Sequence, residues 1–122
     1  MKKAFYILLV FIGVLAGCYY DKEELINPGS GNCDVSSVTY NSTVVPILQA
    51  AGCINCHSGG APSGNISLSS YSGVKTAADN GKLYGAINHS PGFSPMPQGG
   101  NKLSACNIQK IKAWIDAGGI NN

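Results

Sequence analysis

The sequence has 122 residues and a nearly balanced charge, with eight lysines against six acidic residues and a formal net charge of +2 at pH 7. A chain this short predicts one small domain, which buries little apolar surface and usually needs a disulfide, a metal or a bulky cofactor for stability. Two of the lysines lie within the first three residues, and no basic patch follows that would indicate a nucleic-acid partner.

The N terminus has the layout of a secretory signal peptide. Two lysines precede an apolar run at residues 4–15, which is too short to span a bilayer comfortably. The run leads into LAGC at residues 15–18, which resembles a bacterial lipobox with Cys18 as the lipidated first residue of the mature protein. We therefore expect a signal peptide over residues 1–17 and an exported lipoprotein, held on the periplasmic side of a bacterial membrane or at the outer surface. An ordinary cleaved signal is the alternative.

A polar segment follows the lipobox. An acidic cluster at residues 21–24 is succeeded by a stretch of Asn, Pro, Gly and Ser, and such a composition cannot bury a core. Residues 18–32 are therefore predicted to form a flexible tether, and residues 33–122 the folded domain. The acidic cluster also resembles surface-export signals of some Gram-negative lipoproteins, which is the alternative to a solubilising linker.

The domain is predicted to be all-α, because apolar residues recur at helical spacing and no alternating strand pattern appears. Ser42 or Thr43 is expected to cap the first helix, with Pro46 in its first turn. Ser104 is the expected N-cap of the last helix, which two glycines terminate. The predicted helices cover residues 43–51, 71–78, 82–87 and 104–117, and residues 58–70 and 89–101 are predicted to be irregular.

The segment Cys-Ile-Asn-Cys-His at residues 53–57 carries the chemistry. Two thiols three positions apart on one turn can each add to a haem vinyl group, and the adjacent histidine is then held beneath the iron. In an exported chain this motif predicts one covalent haem c, bound through Cys53 and Cys56, with His57 as an iron ligand. A thioredoxin-like dithiol would follow a strand, and a zinc site would need two more ligands at fitting spacing. The sequence offers neither context.

The order of these features resembles the class I monohaem cytochromes c, here as a small lipid-anchored bacterial member. In that family a first helix leads into the attachment turn, a methionine in a proline-containing loop binds the other face of the iron, and a closing helix packs against the first. The match covers residues 40–119, with Met96 between two prolines as the second iron ligand. The resemblance implies short helices and long irregular loops wrapped around the haem. It also implies single-electron exchange with periplasmic or membrane redox proteins, without catalysis.

The second ligand position has alternatives. Met96 is the only methionine besides Met1, so it is the sole thioether left after export. His89 is the competing ligand, and an open or water-bound position is the third possibility. An open iron would favour a peroxidase-like enzyme or a small-ligand sensor over an electron carrier. An accessory subunit that delivers electrons to one enzyme complex is a further alternative.

Two cysteines remain once Cys18 and the attachment motif are assigned. Cys33 and Cys106 lie at opposite ends of the domain, and an even number of cysteines in an oxidising compartment favours a disulfide. Two unpaired thiols are the alternative.

Haem presents a large flat apolar surface, so several aromatic side chains are expected to line it. The candidates, which could equally be core residues, are Tyr71, Tyr84, Phe93 and Trp114. Trp114 could hydrogen-bond a haem propionate, with core packing and a local acceptor as the alternative. Lysines are expected around the exposed haem edge, where their charge would steer an acidic partner. These lysines are Lys75, Lys82 and Lys102.

Overall fold

The computed structural model describes residues 33–122, so the predicted signal peptide, the lipidation of Cys18 and the tether lie outside the described residues. About half of residues 33–122 are helical and none of them forms a β-strand, which confirms the all-α prediction. No helix in this range is long and apolar enough to cross a membrane.

Short helices follow one another along the chain. The elements are a π-helical turn at Tyr40–Val44 that continues directly into α1 (Val45–Ala50), then α2 (Cys53–Cys56), a 3₁₀ turn at Ser63–Asn65, α3 (Tyr71–Asp79), α4 (Lys82–Ile87) and α5 (Ala105–Asp116). Residues 88–104 between α4 and α5 form no helix, in agreement with the irregular segment predicted there.

The first helix begins earlier than predicted, and neither Ser42 nor Thr43 is its N-cap. Thr39 has an extended backbone, and its hydroxyl accepts a hydrogen bond from the Ser42 amide at 3.2 Å. The Thr39 carbonyl accepts from the amides of both Thr43 and Val44, so the helix opens with a π turn. The prediction was wrong because four residues with capping side chains lie within residues 39–43, and their spacing alone does not select one.

Gly52 separates α1 from α2. Its backbone is left-handed, with φ +71°, a conformation that glycine adopts without the steric cost borne by other residues. The Gly52 amide donates to the Gln49 carbonyl at 2.9 Å, which closes the end of α1. The chain therefore turns sharply and presents residues 53–57 on a separate helical turn.

The closing helix α5 confirms the prediction for this segment. The Ser104 hydroxyl accepts from the Asn107 amide at 3.2 Å and so satisfies a free donor of the first turn. Gly118 and Gly119 follow the helix with positive φ. The helix packs against the π-helical turn and against α4.

The core lies where α5 meets the start of the first helix. Ile108, Ile111 and Trp114 are buried on one face of α5, and the Trp114 ring lies 5.7 Å from the Tyr40 ring between centroids. Burial of such side chains contributes about 1.5–3 kcal/mol each. The Trp114 indole N–H donates to the Ile120 carbonyl at 2.9 Å, so the local-acceptor alternative holds and its donor is not left for a propionate.

Two further links hold the start of the first helix and the segment before it near the end of the domain. Cys33 and Cys106 form a disulfide, with their Cα atoms 5.4 Å apart, within the usual range for such bonds. Asn122 accepts hydrogen bonds from the amides of Tyr40 and Asn41, at 2.8 Å through its side chain and 2.9 Å through its main chain. These links join the start of the first helix and the segment before it to α5 and to residue 122.

Replacing both Cys33 and Cys106 by serine is expected to lower the free energy of unfolding by about 4 kcal/mol, because the bridge restricts the unfolded chain. The bond spans a sequence separation of 73 residues. Urea denaturation of protein purified under oxidising conditions measures the change. Each single replacement should cost as much as the double replacement, since either one removes the whole bridge. A double replacement that lowers the free energy of unfolding by the sum of the two single replacements would contradict the disulfide.

Candidate functional site

A cavity of about 550 Å³ beside α2 brings the predicted site residues together. Cys53, Cys56, His57 and Met96 all line it, although Met96 is distant in sequence from the other three. Its volume lies within the range of cavities that hold cofactors and other small ligands. The walls come from the turn around α2, the segment 63–68, the facing sides of α3 and α4, and the loop that carries Met96.

The side chain of His57 is oriented by a backbone carbonyl. The ring is buried, and Nδ1 lies 3.0 Å from the carbonyl oxygen of Ile66. A carbonyl oxygen can only accept, so Nδ1 carries a proton and, in the neutral ring, Nε2 keeps its lone pair. The main chain of His57 is also held, because its amide donates to Cys53 at 3.0 Å and its carbonyl accepts from Leu68 at 2.7 Å. This is the arrangement that prepares a histidine to bind a metal through Nε2.

The two thiols of α2 differ in their surroundings. Cys53 is half-buried and Cys56 is exposed, and neither is bonded to another cysteine within residues 33–122. Burial raises the pKa of the Cys53 thiol. A dithiol oxidoreductase requires the opposite shift, since its reactive cysteine works as a thiolate of lowered pKa. The raised pKa and the helix that precedes α2 both disfavour the thioredoxin-like alternative.

Met96 is held at both of its backbone groups by the end of α4. Its amide donates to the Ala86 carbonyl at 3.1 Å, and its carbonyl oxygen lies 3.0 Å from Nε2 of His89. Met96 lines the cavity, whereas His89 is not among the described residues that line it. The structure therefore places Met96 at the cavity and the His89 imidazole against the Met96 backbone.

The expectation that several aromatic side chains line the site is wrong, since Phe93 alone of the four candidates does so. The Tyr71 hydroxyl donates to Gly119 at 2.9 Å, and the Tyr84 ring lies beneath the ammonium of Lys112. Aliphatic side chains form the walls instead, and for the two on α4 the helical spacing of four residues could have indicated them. They include Ile66, Leu68, Leu83 and Ile87.

The predicted lysines are not equivalent. Lys82 is exposed and lies at the cavity, whereas Lys75 forms an ion pair with Asp79 on α3. Lys102 is exposed and is not among the described residues that line the cavity. Of the three lysines expected around the site, only Lys82 lines the cavity. The sequence could not show that the other two point elsewhere.

The donor atoms at the cavity fit a haem c. They are two thiols, one imidazole nitrogen with a free lone pair and one thioether, set among mainly apolar walls. Within residues 33–122, no three His, Cys, Asp or Glu side chains gather as a metal site. Comparison with protein-family models, curated proteins and solved structures found no match to this chain.

Gly85→Ala is expected to displace the Phe93 ring from the cavity wall, because a Cβ at residue 85 would lie 2.5 Å from ring carbons. The overpacking should lower the free energy of unfolding by about 1–2 kcal/mol despite the better helix propensity of alanine. Urea denaturation and the NMR shifts of the Phe93 ring measure the effect.

Gly60→Ala is the matched control, since no heavy atom of the described chain lies within 4 Å of the added Cβ. It should change stability by less than about 0.5 kcal/mol. Phe93→Leu combined with Gly85→Ala should recover part of the loss. Equal effects at residues 60 and 85 would contradict the proposed contact.

Proposed function

We propose that this chain is a small c-type cytochrome with the class I fold, which transfers single electrons as an exported, lipid-anchored carrier. The observation that carries the proposal is the convergence of the attachment motif at residues 53–57 and Met96 on one apolar cavity. The order of first helix, attachment turn, methionine loop and closing helix supports the resemblance to that family. Its partners would be redox proteins of the periplasm or membrane, and the lipid on Cys18 would hold it at the membrane.

The site residues divide into attachment and ligation. Cys53 and Cys56 would hold the haem through thioether bonds, while His57 and Met96 would bind its iron. A bound haem would supply an iron that changes between the ferrous and ferric states. The methionine sulfur is a soft ligand and favours the ferrous state relative to a second histidine.

Rigid support of both ligands suits electron transfer. The Ile66 carbonyl fixes the ring of His57, and hydrogen bonds from the end of α4 fix the backbone of Met96. Ligands held in this way keep nearly the same positions in both oxidation states, so transfer requires little rearrangement. The same support favours an occupied second position over the open iron that a peroxidase-like enzyme or sensor would need.

The mass and visible spectrum of protein matured in a haem-attaching host test the proposal. We expect the mass of one haem on the wild type, and none covalently attached when Cys53 and Cys56 are both replaced by alanine. Met96→Ala should abolish the weak ferric absorption band typical of methionine ligation and should lower the reduction potential. Gln98→Ala is the control, because Gln98 lies in the same loop and also lines the cavity.

Wild-type protein without attached haem would contradict the whole proposal. Protein that carries haem but lacks the methionine band, and that binds carbon monoxide or peroxide readily, would instead support the enzymatic or sensing alternative. These two outcomes separate the question of the cofactor from the question of its second ligand.

Lys82 is expected to steer anionic partners toward the haem edge. Among the described residues no carboxylate lies within ion-pair distance of its ammonium, whereas Lys75 and Lys112 are paired with Asp79 and Asp116. A paired charge exerts a weaker field at a distance than an unpaired one.

Lys82→Gln should therefore slow the oxidation of the ferrous protein by ferricyanide about threefold at low ionic strength. Stopped-flow rates over a series of salt concentrations measure the effect, which should vanish at high salt. Lys75→Gln serves as the control and should change the rate less. Rates that do not depend on salt would refute the steering.

A further inference from the structure

The turn after α4 has a defined helix-ending geometry. The amide of Ser90 donates to Gly85 at 2.9 Å and the amide of His89 donates to Ala86 at 3.2 Å, the two hydrogen bonds of a Schellman motif. His89 occupies the position of this motif that needs a left-handed backbone, with φ +53°. Glycine is the usual residue there because it has no Cβ. The motif explains the backbone of His89 but assigns no role to its ring.

The ring of His89 contacts the neighbouring loop. Its Nε2 lies 3.0 Å from the carbonyl oxygen of Met96, and since that oxygen can only accept, Nε2 must carry the proton and donate. The ring is half-buried. The Ala86 carbonyl also accepts a hydrogen bond from the Met96 amide. Ala86 and His89, at the end of α4, therefore hold the amide and the carbonyl of Met96 on either side of its Cα.

We infer that His89 is a positioning residue that holds Met96 in place for iron binding and does not bind the iron itself. This inference rests on the proposed role of Met96 as the second ligand. The hydrogen bond limits the excursions of the Met96 backbone, so it reduces the fraction of protein in which the sulfur has left the iron. Losing the bond should therefore make the iron more accessible to an added ligand.

His89→Gly and His89→Gln separate the ring from the backbone. Glycine adopts the left-handed conformation freely, so His89→Gly removes the donor without adding strain. Glutamine supplies an N–H donor on a side chain of similar reach, so His89→Gln should restore much of the contact. Asn88→Ala is the matched control, since the Asn88 side chain donates to Ser90 at 3.1 Å and the change leaves the Met96 contacts in place.

Imidazole titration of the ferric, haem-loaded protein is the main measurement. We expect His89→Gly to bind imidazole about fivefold more tightly than the wild type, the factor that corresponds to one net hydrogen bond. It should also weaken the methionine band and lower the reduction potential. His89→Gln should lie close to the wild type, and Asn88→Ala should match it. These spectroscopic readouts decide the question, because a purely structural role of the ring would change the urea midpoint of His89→Gly and leave the imidazole affinity and the methionine band unchanged.

Imidazole affinity in His89→Gly equal to that of the wild type, with an intact methionine band, would overturn the inference while leaving the proposed function standing. Loss of the wild-type spectrum in His89→Gly but not in Met96→Ala would identify His89 as the ligand and would also overturn it. Absence of haem from the wild-type protein would overturn the proposed function itself, and the positioning role with it.

Discussion

The carbonyl oxygen of Ile66 lies 3.0 Å from Nδ1 of His57, and this contact decides which ring nitrogen is available at the cavity. With the proton on Nδ1, the neutral ring presents the lone pair of Nε2, the form that a metal binds. The same stretch of chain also binds the main chain of His57 through Leu68. A loop rich in Gly, Ser and Pro is thereby tied to the turn that ends α2, and its aliphatic side chains line the cavity.

The domain has a tightly linked part and a loop that carries Met96. The start of the first helix, α5 and the residues bonded to them form a block held by the disulfide, the contact of Trp114 with Tyr40 and the hydrogen bonds of Asn122. The loop that carries Met96 owes its position to α4, which packs against α5 on one side and contacts α3 on the other. The position of Met96 thus depends on its hydrogen bonds to the end of α4, which itself packs against that block.

The closing helix α5 was predictable because its signals are local. An N-cap and paired glycines each act over a few residues, so spacing alone identifies them. The N-cap at Thr39, the side on which Tyr71 and Trp114 pack, and the contact of His89 with Met96 were not predictable. In each case several residues or side-chain orientations are locally equivalent, and the tertiary packing determines which of them occurs. A single sequence does not show that packing.

The unequal exposure of the two sulfurs in α2 makes them chemically distinct, although they are identical residues one turn apart. Cys56 faces solvent, while Cys53 is partly covered and its pKa is raised by burial. An electrophile in solvent therefore reaches the sulfur of Cys56 more readily than the partly covered sulfur of Cys53 in the unmodified protein.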